Sequence, residues 1–193
     1  MKPVIVFATA NENKTAEVRD LLKDLYEVKS LVDIGCTEDI PETSNTLEGN
    51  AKQKADYVKE KYGFDCFADD TGLEVEALNG APGVFTARYG GPEKDAQLNM
   101  NYLMNELEKI GAVETSERGA RFRTAIHLII NGQEVGLDGI CNGHIARLQS
   151  GTTGFGYDPI FIPKGENRTF SEMSSEEKNS MSHRGSAIRS MLE

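Results

Sequence analysis

Asp69 and Asp70 stand side by side after the apolar Phe67-Ala68 and before Thr71-Gly72, where a strand is expected to end and the chain to bend. Hard divalent cations prefer oxygen ligands, and magnesium takes one or two carboxylates together with waters and substrate phosphates. An adjacent pair of aspartates supplies such ligands, although a solvated turn has the same sequence. Lys54 sharpens the reading. It falls on an apolar helical stripe of Leu47, Ala51, Ala55 and Val58, and a lysine so placed must either reach out to water or find an anionic partner. A phosphate or Asp69/Asp70 would serve. Glu42, after Pro41 in the polar link before that helix, is free to bring a further carboxylate.

Three other segments carry polar groups at useful places. Residues 9–14 offer Thr9, Asn11 and Lys14 between an apolar strand and a helix N-terminus, where free backbone N–H groups and the helix dipole attract anions. This is not a Walker A loop, because its glycines are absent, and ordinary helix capping by Asn11 is the plainer alternative. Residues 151–159 pack three glycines, two aromatics and an acid into nine positions. Gly156 and its neighbours let backbone approach a ligand closely. Phe155 or Tyr157 is placed to stack on a nucleobase, or else to pack into the core, with Asp158 beside them. Ser182-His183-Arg184-Gly185 lies between two helical segments, with Lys178 one turn upstream. An arginine fork and an imidazole N–H suit a purine carrying oxygen at position 6 better than one carrying an amino group there.

These groups need elements to hold them. Val4-Ile5-Val6-Phe7 reads as a strand buried on both faces, and Val18, Leu21, Leu22 and Leu25 as the stripe of a first helix. A second helix is expected from an Asn45 N-cap with Glu48 three residues on. Residues 64–68 and 73–77 read as two short strands. Ala96, Met100, Leu103, Leu107 and Ile110 mark a third helix. A strand alternating from Phe122 to Ile130 runs to Asn131-Gly132, a hairpin signal that predicts an antiparallel return through Val135, Leu137 and Ile140. Ser174 and Glu177 form a capping box, and Ala187, Ile188, Met191 and Leu192 give a terminal helix. Together they predict one α/β domain over residues 1–193, three-layered with a long mixed β-sheet, and two lobes around a ligand cleft.

Composition bounds the chemistry. A chain of 193 residues, 38% hydrophobic and 27% charged, is long enough to bury a sizeable core. A formal net charge of −10 repels polyanions and disfavours a nucleic-acid polymer as partner, while a small nucleotide needs only a few placed cations. No run approaches the roughly 18 apolar residues of a membrane span. The start Met1-Lys2-Pro3-Val4 leads straight into a strand, so a cytoplasmic location is expected. Cys36, Cys66 and Cys141 are isolated and read as reduced core thiols. His127, His144 and His183 lack the i, i+4 spacing of a helical metal pair.

Six segments together resemble the inosine triphosphate pyrophosphatase family, the non-canonical purine NTP pyrophosphatases. They are Thr9-x-Asn11-x-x-Lys14; Asn50-Ala51-x-x-Lys54-Ala55; Ala68-Asp69-Asp70-Thr71-Gly72-Leu73; Gly80-Ala81-Pro82-Gly83-Val84 with Ala87-Arg88-Tyr89; Gly154-Phe155-Gly156-Tyr157-Asp158-Pro159; and Ser182-His183-Arg184-Gly185. The resemblance implies a homodimer that hydrolyses ITP, dITP and XTP between the α and β phosphates, with magnesium or manganese as cofactor. It implies Asp70 as general base or metal-proximal carboxylate, and Glu42 and Asp70 as metal ligands with Asp69 assisting. Lys14 and Lys54 would hold phosphates, with Thr9, Asn11 and Thr71 on the phosphate side. Residues 155–158, Lys178, His183 and Arg184 would hold base and sugar. Leu47, Gly49, Ala10, Thr71 and Thr86 depart from residues common in the family, and Gly49 costs the second helix about 1 kcal/mol of propensity. Two rivals are a pyrophosphatase for pyrimidine nucleotides and a catalytically silent nucleotide-binding module.

Overall fold

The computed structural model describes residues 1–193. In chain order its main elements are β1 (Val4–Phe7), α1 (Glu12–Leu22), β2 (Glu27–Lys29), α2 (Leu47–Tyr62), β3 (Cys66–Val75), β4 (Pro82–Gly83), α3 (Ala96–Lys109), β5 (Gly119–Ile130), β6 (Gln133–Ile145), β7 (Phe161–Pro163), α4 (Ser175–Met181) and α5 (His183–Met191). The strands form a 7-stranded sheet in the order β2-β1-β3-β5-β6-β7, with β4 on β3. β1 pairs in parallel with β2 and β3, whereas β4 and β7 pair antiparallel with their neighbours. The expected mixed α/β sheet is therefore present. No helix is long and apolar enough to cross a membrane.

The chain divides into two compact units, one of Met1–Asp70, Thr124–Gly139 and Ala187–Glu193, the other of Thr71–Arg123 and Ile140–Ser186. In the first, β1 buries Ile5, Val6 and Phe7 and leaves Val4 exposed at its start. Ile5 and Phe7 join Val18 and Leu22 of α1 and Ala187 and Ile188 of α5. Val6 joins Ala55 and Val58 of α2 on the other side. The two-residue period of a strand sends alternate side chains into two different cores, with helices on both faces. Phe7 and Phe67 stack with ring centroids 4.7 Å apart where β1 and β3 run side by side. In the second unit, Met100, Leu103 and Leu107 of α3 pack with Leu73, Val75, Phe122, Phe161 and Phe170. Ile110, the last residue of the expected stripe, is the C-cap of α3 and is exposed. Cys36, Cys66 and Cys141 are buried thiols.

Three expectations need correction. Residues 64–68 and 73–77 are not two strands: β3 is one strand of 10 residues, and Asp69 and Asp70 lie within it. The polar run Asp69-Asp70-Thr71 stays extended because the sheet, not side-chain propensity, decides its backbone. The N-cap of α2 is Thr46, not Asn45; its Oγ1 accepts the Gly49 N–H at 3.1 Å. Leu25 and Leu192 lie beyond their helices and are exposed. The hairpin at Asn131-Gly132 forms as expected, both residues having positive φ, 51° and 76°, as a two-residue turn of the I′ type demands. The capping box of Ser174 and Glu177 is also present.

Gly49 occupies the first turn of α2, and a Cβ there would overlap the Ser44 side chain. The glycine that lowers helix propensity is thus the residue that lets residue 44 close on the helix. We expect Gly49→Ala to lower the thermal midpoint by a few degrees, because overpacking of about 1–3 kcal/mol outweighs about 1 kcal/mol of gained propensity. A rise in midpoint on a thermal melt would show that residue 44 moves aside freely.

Candidate functional site

β1 ends at Phe7, and its last pairing with β3 is Phe7 on Phe67. Thereafter β3 continues while the first chain turns away through Thr9 into α1. Asp69 and Asp70 therefore lie past the C-terminal end of a parallel neighbour, although they are not at the end of their own strand. That is where open α/β sheets place ligand sites. Asn11 caps α1, its Oδ1 accepting the N–H groups of Asn13 and Lys14 at 3.0 and 3.2 Å. Thr9 is buried and its Oγ1 accepts the Asn11 N–H at 3.2 Å. The turn is thus held by its own side chains, which sets the direction in which Lys14 leaves α1.

Lys14 reaches Asp69, Nζ to Oδ1 at 2.9 Å, and Asp69 is 1% exposed. Lys54, buried on α2, pairs with Glu42. Burial alone would lower the Lys54 pKa, but the charges of Asp69, Glu42 and Asp70 together raise it. For Asp70 the balance runs the other way: burial raises its pKa, and Lys54, Lys14 and a hydrogen bond from Asn50 only partly offset that. Three carboxylates and two ammonium groups thus share one cluster in the first unit, buried at Asp69 and Lys54 and open to solvent at Glu42. Glu42, Asp69 and Asp70 offer oxygen donors alone, the hard set that fits magnesium or manganese. Their one-charge excess over the lysines is in the direction a cation requires.

The second unit holds the remaining expected residues. Lys178 and Asp158 form an ion pair at 2.6 Å with side-chain exposures of 6% and 5%. The same Asp158 Oδ2 accepts the Phe155 N–H at 2.9 Å, and Gly154, at φ 77°, passes so close that a Cβ would overlap that carboxylate. Gly156 also has a positive φ, 62°. Asp158 therefore shapes the loop that presents Phe155. Lys178 Nζ lies 4.7 Å from the Phe155 ring centroid, and the Arg184 guanidinium carbon 5.9 Å. Of the two aromatic candidates, Tyr157 is a core residue whose hydroxyl donates to Thr86 O at 2.7 Å, while Phe155 is only half-buried.

His183 and Arg184 open α5 and are buried, not surface groups. The His183 ring stacks on Phe122 at 4.5 Å. Arg184 donates to Thr71 Oγ1 at 3.3 Å, and Ser182 Oγ accepts the Gly185 N–H at 3.0 Å. Thr71 is the first residue of the second unit, immediately after Asp70. Sequence reasoning gave no role to Asn50, which donates to Asp70 Oδ2 at 3.0 Å. Its spacing of i, i+4 from Lys54 was the signal. Thr86, a departure from the residue common in the family, has an Oγ1 that donates to Gly83 O and accepts the Leu73 N–H, at 2.6 and 2.8 Å.

The fold is a mixed α/β sheet with an acid–lysine cluster past the end of a parallel strand, where open α/β sheets place ligand sites, and a Gly-aromatic loop braced by a buried ion pair. The chain belongs to the Ham1 family, whose model matches residues 5–193. It is 50% identical over 189 residues to the dITP/XTP pyrophosphatase of Flavobacterium johnsoniae, covering 98% of this chain and 96% of that protein. It is 43% identical over 193 residues to the protein of the same name from Bacillus subtilis, covering 99% and 96%. Among solved structures, a HAM1 protein from Coxiella burnetii superposes with a TM-score of 0.86 at 36% identity, covering 98% and 96% of the two chains.

Removing one member of a buried ion pair leaves an uncompensated charge, which costs about 3–5 kcal/mol. Lys178→Met is therefore expected to lose about that much unfolding free energy in a urea titration. A loss under about 1 kcal/mol would mean that Asp158 is satisfied without its ammonium partner.

Proposed function

We propose that this protein hydrolyses non-canonical purine nucleoside triphosphates, ITP, dITP and XTP, to the monophosphate and pyrophosphate. The observation that carries the reading is the cluster in which Lys14 meets Asp69, Lys54 meets Glu42, and Asp70 lies within their field. Membership of the Ham1 family, with relatives named dITP/XTP pyrophosphatase, supports it. The family resemblance adds a homodimer and a cytoplasmic location to the proposal.

Glu42 and Asp70, assisted by Asp69, are the groups to hold magnesium, or manganese in its place. Bound there, the ion supplies charge neutralisation for the triphosphate. Lys14 and Lys54 exchange their carboxylate partners for phosphate oxygens and stabilise the departing pyrophosphate. Thr9, Asn11, Thr71 and the N-terminus of α1 line the phosphate chain. Asp70 accepts the proton of the water that attacks the α-phosphorus in line. An ordinary aspartate with a pKa of about 3.9 is a weak base, so a metal held beside it would help by lowering the pKa of the attacking water.

Phe155 is the ring to stack on the base, with Gly156 giving close backbone approach and Tyr157 and Asp158 fixing the loop. Lys178, His183 and Arg184 are the groups to hold base and sugar, with the His183 N–H and the Arg184 fork as donors to the oxygen at position 6. An amino group there would face donors with a donor, which is the proposed basis for rejecting ATP.

The test is pyrophosphate release by purified protein with magnesium from ITP, XTP, ATP, GTP and UTP, with EDTA as control. Metal-dependent release from ITP and XTP is expected to exceed that from ATP by about 100-fold or more, and Asp70→Asn to lose about 100-fold or more in kcat while keeping its fold. Equal rates on UTP would overturn the base assignment. A near-normal rate for Asp70→Asn would overturn the role of Asp70, and ITP binding without release would establish a binding module.

A further inference from the structure

Residues 42–44 are fastened to one face of α2. Lys54 holds Glu42. Gln53 holds residue 43 twice: its Oε1 accepts the Thr43 N–H at 2.9 Å and its Nε2 donates to Thr43 Oγ1 at 2.8 Å. Asn50 holds residue 44, Oδ1 accepting the Ser44 N–H at 2.9 Å. The spacing i, i+3, i+4 puts all three side chains on the same side of the helix, and Gly49 leaves room for the strap to lie close.

Asn50 differs from the other two in what its far end does. Its Nδ2 donates to Asp70 Oδ2 at 3.0 Å, and the residue is only 3% exposed. The orientation of this amide is forced, since a backbone N–H can only donate and an ionised carboxylate can only accept. Oδ1 must face Ser44 and Nδ2 must face Asp70. A buried amide with both ends engaged is costly to disengage at either. One rigid planar group therefore spans the strap that carries Glu42 and the β3 carboxylate.

We propose that Asn50 is a positioning residue, fixing Asp70 against the Glu42-bearing strap so that the two carboxylates present a single preformed site to a divalent cation. The proposal rests on the reading of Glu42 and Asp70 given above. Asn50 itself contacts neither cation nor nucleotide in this role; it acts through the two groups it holds. Gln53 fastens the same strap without touching Asp70, which makes it the internal control.

The experiment compares full-length wild type with Asn50→Asp, Asn50→Leu and Gln53→Ala. Asn50→Asp keeps the side-chain shape and the acceptor for Ser44, but turns a second carboxylate toward Asp70. With ITP and magnesium it is expected to lower kcat about 10- to 100-fold, the scale of a misplaced reacting group, with KM changed by less than about 3-fold. Asn50→Leu should do the same and weaken Mn2+ binding to the chain alone, read by calorimetry, by about 3-fold or more. Gln53→Ala should keep kcat within about 3-fold. Wild-type kcat in Asn50→Asp would reduce Asn50 to a loop anchor and overturn the proposal, as would a change confined to KM. If the wild type itself fails to hydrolyse ITP, the functional reading has failed, and Mn2+ affinity still decides the positioning role: unchanged affinity in Asn50→Leu overturns it.

Discussion

Everything at the site depends on keeping Lys54 charged where there is almost no water. Burial acting alone would lower the pKa of a lysine at 7% exposure. Here Asp69, Glu42 and Asp70 outweigh that cost and hold the ammonium in place. Asp69 in turn is tolerable in a dry setting because Lys14 pairs with it. The members come from α1, α2, β3 and the link before α2, so these elements must all be in register for the cluster to exist. The packing of Phe7 on Phe67 and of Ala55 and Val58 under Val6 and Ala8 provides that register.

The second unit solves a different problem, the presentation of a flat ring beside two cations. Lys178 is neutralised by Asp158, and the same carboxylate grips the backbone of the loop at Phe155. A charge pair and a turn are thus made by one side chain. Tyr157 takes the neighbouring aromatic position into the core and ties it to Thr86, so the loop has a fixed root and a half-exposed tip.

Much of this was legible from residue types and spacing. The strand Val4–Phe7, the helix that follows, the stripe through Met100, Leu103 and Leu107, and the Asn131-Gly132 hairpin all follow from local periodicity and turn chemistry. So does the anionic partner of Lys54, because its place on an apolar stripe leaves only an acid or water to meet it. What local reasoning missed was set by neighbours distant in sequence. Asp69-Asp70-Thr71-Gly72 has the composition of a turn, yet it stays extended because the sheet continues around it. Asn45 and Thr46 are comparable caps by type, and only the position of Gly49 N–H separates them. The work of Asn50 needed both Ser44 and Asp70 in view, six and twenty residues away.

The uninterrupted course of β3 limits how this chain can change its length. Side chains alternate along a strand, so one residue added or lost between Asp69 and Leu73 would turn Leu73 and Val75 out of the core they share with α3. Such a slip would also separate the acidic pair from everything that follows it. Insertions and deletions are tolerable where the backbone is exposed, as at Pro92 and Glu93. The ten residues from Cys66 to Val75 thus behave as a fixed ruler, across which diversification proceeds by substitution alone.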